Sequence, residues 1–408
     1  MYILVFNAGS SSVKFTCFGP EPDQLLAQGM VERIGLEGTT LHYEPTGIEK
    51  IQHQVPVATT REAVEALAHC LIDPVKGCLD SLKQVQAVGH RVVHGGEKIN
   101  MPVVINKWVK EVVREYFELA PLHNPPNLEG IEAAEALFPQ AVQVGVFDTA
   151  FHTTIPPQAY LYALPLELYE KAKIRRYGFH GISHQYVSRA AAEHLGIAPS
   201  AFNGIICHLG NGCSITAVRA GKSVDTSMGM TPLEGLVMGT RCGDLDPAVV
   251  LYLMERRGLS LAETNALLNK KSGLLGLTGG KSSDLRDIIK ASDHGDVHAR
   301  DALNIFCYRL RKYIGAYSAA LGRVDAVAFT GGIGENSSLV RSLALKEMDL
   351  LGMRIDDKRN QAAVGNGISE IQAESSAVKL LVIPTQEERE ILGQVLSILQ
   401  TDGSSALA

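Results

Sequence analysis

Several large protein classes are excluded by what this sequence lacks. Its seven cysteines are scattered, odd in number and nowhere paired as C-x-x-C. Neither a disulfide framework nor a zinc site is therefore expected, and the thiols read as reduced, as in a cytoplasm. No basic block is present and the formal charge is −6, which argues against a nucleic-acid partner. No apolar run approaches membrane-spanning length, so no membrane partner is expected. The first fifteen residues lack a basic stretch followed by a long apolar core, so no signal peptide is expected. H-E-x-x-H, the nucleophile elbow and the protein-kinase H-R-D set are all missing. Two nucleotide motifs are near misses. Only three residues separate Gly276 from Gly280 before Lys281-Ser282, where a Walker loop needs four. The run from Gly332 to Ser337 has Ser where a dinucleotide fingerprint needs its last Gly or Ala.

What is present describes a globular α/β protein. With 408 residues, 46% hydrophobic and 20% charged, the chain is long enough for two domains. Strand-like runs alternate with amphipathic stretches, and the spacing predicts helices over 61–72, 107–119, 127–138, 184–195, 247–257 and 297–321. No low-complexity linker occurs, so a boundary must be a short hinge, best placed in 148–155. The expected domains are 1–150 and 151–383, with a C-terminal helix over 384–408 returning to the first.

Two strand–turn–strand units stand out. Residues 2–6 run into Asn7-Ala8-Gly9-Ser10-Ser11-Ser12 and return through Val13-Lys14-Phe15. Residues 204–209 run into Gly210-Asn211-Gly212-Cys213-Ser214 and return through 215–218. Glycine and serine in a tight turn aim N–H and O–H donors at one point, which suits a phosphate oxygen, although the same residues fill ordinary turns. A third glycine turn, Thr330 to Asn336, follows another strand and continues into a helix. The recurrence suggests a duplicated fold whose halves each offer a phosphate loop to a shared cleft.

Charged and imidazole side chains gather at strand ends. Residues 85–89 deliver Arg91, whose planar fork suits a carboxylate or phosphate but equally a structural salt bridge. The strand 142–147 delivers Asp148, a metal or base position or else a cap. His123 lies in the rigid turn Pro121 to Asn127. His180 follows Arg175 and Arg176 and is flanked by glycines, and Arg241 lies in Gly239-Thr240-Arg241-Cys242-Gly243 with no local structural reason. Asp246-Pro247 reads as a helix N-cap and first turn. Thr385 and Glu388 have capping-box spacing, which leaves Glu387 to reach a metal or to favour the helix dipole. Phosphate loops, carboxylates for Mg²⁺, and arginines and histidines for charge describe phosphoryl transfer.

These motifs, in this order, resemble the acetate kinase family. The resemblance is carried by N-A-G-S-S-S-V-K-F from Asn7, G-H-R-V-V-H-G-G-E from Gly89, A-P-L-H-N-P from Ala120 and V-F-D-T-A-F-H from Val146. It continues through R-R-Y-G-F-H-G from Arg175, H-L-G-N-G from His208, the run from Asp225 to Arg241, T-G-G-I-G-E-N from Thr330 and I-P-T-x-E-E from Ile383. It implies two ribonuclease-H-like domains of the acetate and sugar kinase/Hsp70/actin superfamily, with a nucleotide cleft between them. It also implies reversible transfer from ATP to acetate, with Mg²⁺ (or Mn²⁺ in its place), ATP and ADP as co-substrates, and a cytoplasmic homodimer. The residues that match the family's motifs imply the following roles. Asn7 and Glu387 hold the metal. Arg91 binds the acyl group and Asp148 is the catalytic carboxylate. His180 and Arg241 stabilise the transition state, with His123 beside the transferring group. Val93, Leu122, Phe179 and Pro232 form the acyl pocket. The nucleotide lies on Ser10, Ser12 and Lys14, on His208, Leu209, Gly210, Asn211 and Gly212, on Asp284, Leu285 and Arg286, and on Gly331, Gly332, Ile333, Gly334 and Glu335. Propionate kinase of the same family is the alternative activity, and an actin-like or chaperone-like ATPase the alternative from another class.

Overall fold

The computed structural model describes residues 1–405 except Pro22, Leu122 and Asn366, with side chains described up to 400. The chain divides into two compact units: Met1–Phe151 with Gln386–Ala408, and His152–Thr385.

The first unit is built on an eight-stranded sheet of order β5-β4-β3-β2-β1-β6-β8-β7. Its strands are β1 (Tyr2–Ala8), β2 (Ser12–Phe18), β3 (Leu25–Glu32), β4 (Thr40–Pro45), β5 (Ile51–Gln54), β6 (Val85–Val92), β7 (Val103–Val104) and β8 (Val142–Phe147). β1, β6 and β8 pair in parallel and are buried almost throughout, as strands covered on both faces must be. Helices Thr60–Leu71 and Asn124–Leu137 cover one face over Phe6, Phe15, Val64, Leu67 and Ala133. The C-terminal helix Glu387–Ser405 covers β1, β6 and β8 on the other. It comes so close that a Cβ on Gly89 would stand 2.8 Å from both Ile391 and Val395.

The second unit has a six-stranded sheet of order β11-β10-β9-β12-β14-β13. Its strands are β9 (Gly204–Leu209), β10 (Cys213–Arg219), β11 (Lys222–Thr226), β12 (Ala326–Thr330), β13 (Ser369–Glu370) and β14 (Lys379–Val382). The cores β3-β2-β1-β6-β8 and β11-β10-β9-β12-β14 share one plan, an antiparallel meander followed by two parallel strands. That plan is the ribonuclease-H-like order, present twice. The duplicated hairpins expected from sequence are β1–β2 and β9–β10.

Where caps are explicit, predicted and observed helices coincide. Pro247–Arg257 follows Asp246, whose side chain accepts from the Ala248 amide, and ends at the left-handed Gly258. Val297–Leu321 follows Asp296, which accepts from the amides of His298 and Ala299. Gly181–His194 and Asn124–Leu137 each start a turn earlier than expected, and Lys107–Glu115 stops short of 119. The capping box expected at Thr385 is not formed. The helix begins at Glu387, the Thr385 hydroxyl lies 2.8 Å from Ser183 Oγ, and its amide donates to Glu335 Oε1 at 3.1 Å. Glu388 is therefore released from that structural task.

All seven cysteines are free thiols, and Cys207 and Cys213 are buried in the β9–β10 hairpin. Among the described residues no helix is long and apolar enough to cross a membrane.

Candidate active site

In the first unit the sheet itself assembles a cluster. Asn7, near the end of β1, pairs with Lys14 across the antiparallel ladder and with Arg91 across the parallel one. These three side chains line one small cavity together with Glu387 and Glu388, brought in by the C-terminal helix. Asp148 leaves the end of β8, with its amide donating to the Val92 carbonyl at 2.9 Å. Arg91 donates to Asp148 Oδ2 through Nε at 3.1 Å and Nη2 at 2.7 Å, and its Nη1 lies 3.1 Å from Glu387 Oε2. The salt-bridge reading of Arg91 is thus realised, with the Asp148 side chain only 2% exposed. Burial pulls the guanidinium's pKa down, but the charges of Asp148 and then Glu387 outweigh it and hold the group above its ordinary value.

Two asparagines that sequence reading did not single out set the far edge of this cluster. Asn127 accepts from the Val93 amide at 3.0 Å and donates to the Ala8 carbonyl at 2.5 Å. Asn124 accepts from the His94 amide and donates to the carbonyls of His94 and Val113. They fasten one helix start to the ends of β1 and β6, which places Val93 and, at the N-cap, His123. Leu122 lies outside the described residues. Glu388 was also missed as a site residue: besides the cluster, it borders an adjoining cavity of about 360 Å³ walled by Lys14, Thr16, Gln28 and His42.

In the second unit, His180 adopts a left-handed backbone (φ 58), uncommon for a residue with a Cβ, at the N-cap of Gly181–His194. Its Nδ1 lies 2.9 Å from Ser214 Oγ, and its ring is 4.4 Å from that of His208. Ser183 Oγ holds His208 Nδ1 at 2.8 Å. Arg241 Nη1 donates to the Pro232 carbonyl at 3.1 Å and lies 3.7 Å from Met238 Sδ, with no carboxylate partner among the described residues. Burial lowers its pKa. A Cβ on Gly212 would lie 3.5 Å from the His180 ring and 3.7 Å from Arg241 Nη1. Imidazole, guanidinium and the bare backbone of the β9–β10 turn thus converge on one point. Phe179, buried, precedes His180 and accepts at its carbonyl from His152 Nε2 at 3.0 Å.

The remaining glycine-rich stretches sort differently. Gly331 has φ +76, and a Cβ there would meet the Leu209 carbonyl oxygen at 2.7 Å, so glycine is required where the two loops touch. Gly210, Gly332, Ile333 and Gly334 present backbone around this contact. Glu335 is already engaged, since its Oε1 accepts from the Gly331 amide at 2.9 Å and the Thr385 amide at 3.1 Å. Asp284 caps Leu285–Asp293 and pairs with Arg286 at 2.6 Å, while the Leu285 side chain is buried. Ser10 and Ser12 flank the β1–β2 turn, closed by the Gly9 amide on the Ser12 carbonyl at 2.7 Å.

Comparison with known proteins points one way. The sequence model of the Acetokinase family matches residues 2–393. The chain is 51% identical over 404 residues to an acetate kinase of Oleidesulfovibrio alaskensis, covering 98% of this chain and 100% of that one. It is similar to the solved acetate kinase of Porphyromonas gingivalis, with TM-score 0.92, 46% identity and coverage of 98% and 99%. It is also similar to the propionate kinase of Francisella tularensis, with TM-score 0.89, 41% identity and coverage of 96% and 98%.

Proposed function

This chain belongs to the acetokinase family, and on that footing we propose that it reversibly moves the γ-phosphoryl group of ATP onto acetate, giving acetyl phosphate and ADP. The observation that carries the reading is Arg241. A half-buried guanidinium whose partners are a carbonyl and a thioether, facing His180 beside a bare glycine turn, is built to receive an anion.

In this reading Arg91 binds the acyl carboxylate or acyl phosphate, and Asp148 fixes its fork. An acetate oxygen attacks the γ-phosphorus in line, while His180 and Arg241 stabilise the charge that develops on the transferring group, next to His123. Backbone amides of 208–212 and 331–334 and the side chain of Lys14 serve the nucleotide. Asn7 and Glu387 offer hard oxygen donors in one cavity. Among the described residues no group of three His, Cys, Asp or Glu side chains cages a metal. That suits Mg²⁺, which takes one or two protein oxygens and keeps water and phosphate for the rest, and Mn²⁺ is expected to substitute. The bound ion would shield phosphate charge.

The test is direct. With ATP, Mg²⁺ and acetate, trapping by hydroxylamine should reveal acyl phosphate, and removing Mg²⁺ should abolish it. Hydrolysis of ATP without acyl phosphate would overturn the reading in favour of an actin-like ATPase. The similarity to a propionate kinase keeps that substrate as the second reading. If Val93 closes the pocket around the acetate methyl, acetate should exceed propionate by roughly 10-fold or more in kcat/KM, because a methylene in such a pocket is worth about 1–3 kcal/mol. Val93→Ala should narrow or invert that ratio with the KM for ATP nearly constant. A wild-type preference for propionate would transfer the protein to the second reading.

The enzyme acts in the cytoplasm as a homodimer. Free thiols fit a reducing compartment. Helix Pro247–Arg257 buries none of its side chains and leaves Leu251 and Tyr252 60% and 54% exposed, an apolar face that a second copy would cover. Light scattering should give twice the chain mass, and Leu251→Glu should shift it towards the monomer. A monomeric wild type would remove this part of the proposal.

A further inference from the structure

Behind His180 lies a chain of hydrogen bonds that the family roles do not use. Ser214 Oγ sits between two imidazoles, 2.9 Å from His180 Nδ1 and 2.7 Å from His184 Nε2. Ser214 and His184 are both fully buried. His184 Nδ1 has no hydrogen-bond partner among the described residues.

The direction of this chain follows from counting protons. Burial first, and then the neighbouring rings of His152 and His208, push the His184 pKa well below the ordinary histidine value. The neutral ring therefore carries one N–H and one lone pair. An N–H on Nδ1 would be a buried donor with no acceptor, the costlier kind of orphan. The proton thus belongs on Nε2, which donates to Ser214 Oγ. A hydroxyl has one proton, and His180 Nδ1 is the only remaining hydrogen-bond partner of the buried Ser214 Oγ among the described residues, so that proton is directed there rather than left as a second buried orphan. His180 Nδ1 is then an acceptor, so the ring proton sits on Nε2. Both Cε1 and Nε2 of that ring face Gly212, at 3.5 and 3.6 Å from a Cβ built there.

We propose that Ser214, directed by His184, is a positioning residue that locks the His180 ring and tautomer so that an Nε2–H donor is aimed at the transferring group. What the donor does rests on the phosphoryl-transfer reading above; the tautomer itself does not.

The experiment has two arms on the full-length protein. Histidine ¹⁵N labelling with long-range ¹H–¹⁵N correlation reads each ring tautomer without turnover, with His180→Gln used to assign the signal. The expected His180 pattern is an unprotonated Nδ1 and a protonated Nε2. A protonated Nδ1 overturns the proposal. The second arm compares Ser214→Thr with Ser214→Val, which match in shape and differ in the hydroxyl. Ser214→Val should lose about 10- to 100-fold in kcat, less than removal of a whole preorganised donor, with KM values for ATP and acetate little changed. Ser214→Thr should recover most of the loss. Equal activity in the two variants overturns the positioning role. If wild-type protein makes no acyl phosphate, the phosphoryl-transfer reading falls, while the ring spectrum still decides the relay.

Discussion

Arg241→Ala should lower kcat by about 10²–10³-fold, the usual loss when one preorganised charge contact with a transition state is removed. The melting temperature should stay constant or rise. The second half of that expectation comes from the surroundings of the side chain. Arg241 keeps its charge in a mostly desolvated site with only the Pro232 carbonyl and the Met238 sulfur as partners, and its pKa is lowered by burial. Among the described residues those two contacts, with no carboxylate, offset only part of that desolvation, so truncation removes a burden. Arg241→Lys should restore only part of the rate, because a point charge does not reproduce the planar fork. Hydroxamate kinetics and calorimetry on the same preparation decide it. A sharp drop in melting temperature would show that Arg241 is a structural residue, and near-normal turnover would remove it from the chemistry.

Arg91→Ala should lose at least as much activity, but with the opposite thermal signature. Here the guanidinium is half of a buried pair. Its removal takes away the charge that Arg91 holds against Asp148, whose side chain is 2% exposed. Breaking such a pair from one side typically costs about 3–5 kcal/mol. The double variant Arg91→Ala/Asp148→Asn should regain much of the stability and none of the turnover, since the buried carboxylate charge is gone but so is the proposed acyl contact. An Arg91→Ala protein that melts like wild type, or a double variant that recovers activity, contradicts the assignment. The two proposed catalytic arginines, one in each unit, thus separate by calorimetry: Arg91 has carboxylate partners in the folded protein, and Arg241 has none among the described residues.

Local chemistry decided how much of this was legible in the sequence. The helices at 247–257 and 297–321 were readable to the residue because Asp246-Pro247 and Asp296 cap them and glycines end them. The start at Asn124 was not. Pro125-Pro126 reads as a rigid break, yet proline at the first helical positions lacks only an amide that would be orphaned anyway. The capping box at Thr385 failed for a different reason. Spacing proposes a local bond, but Ser183 and Glu335, distant in sequence, had already taken the hydroxyl and the amide. Arg91 and Asp148 were legible as candidates because strand ends in this sheet order put functional groups side by side, whereas Asn7 was marked by the family resemblance. Asn127, Ser214 and Glu388 were not, since each gains its meaning from a partner that no local pattern reveals.

The return of the C-terminal helix also has a consequence for the making of the protein. The first sheet takes its second cover from helix Glu387–Ser405, far along the chain, where Ile391 and Val395 close over Gly89. During translation that face, which includes Val5, remains wet until helix Glu387–Ser405 has been made. Every strand of the second sheet, by contrast, has been synthesised by Val382. The sheet of the second unit is thus complete in sequence before the first sheet has its second cover, unlike a chain whose N-terminal domain is finished first. Arg91 gains Glu387 only with that helix, so a chain stalled before Glu387 leaves one face of the first sheet uncovered and Arg91 short of one carboxylate.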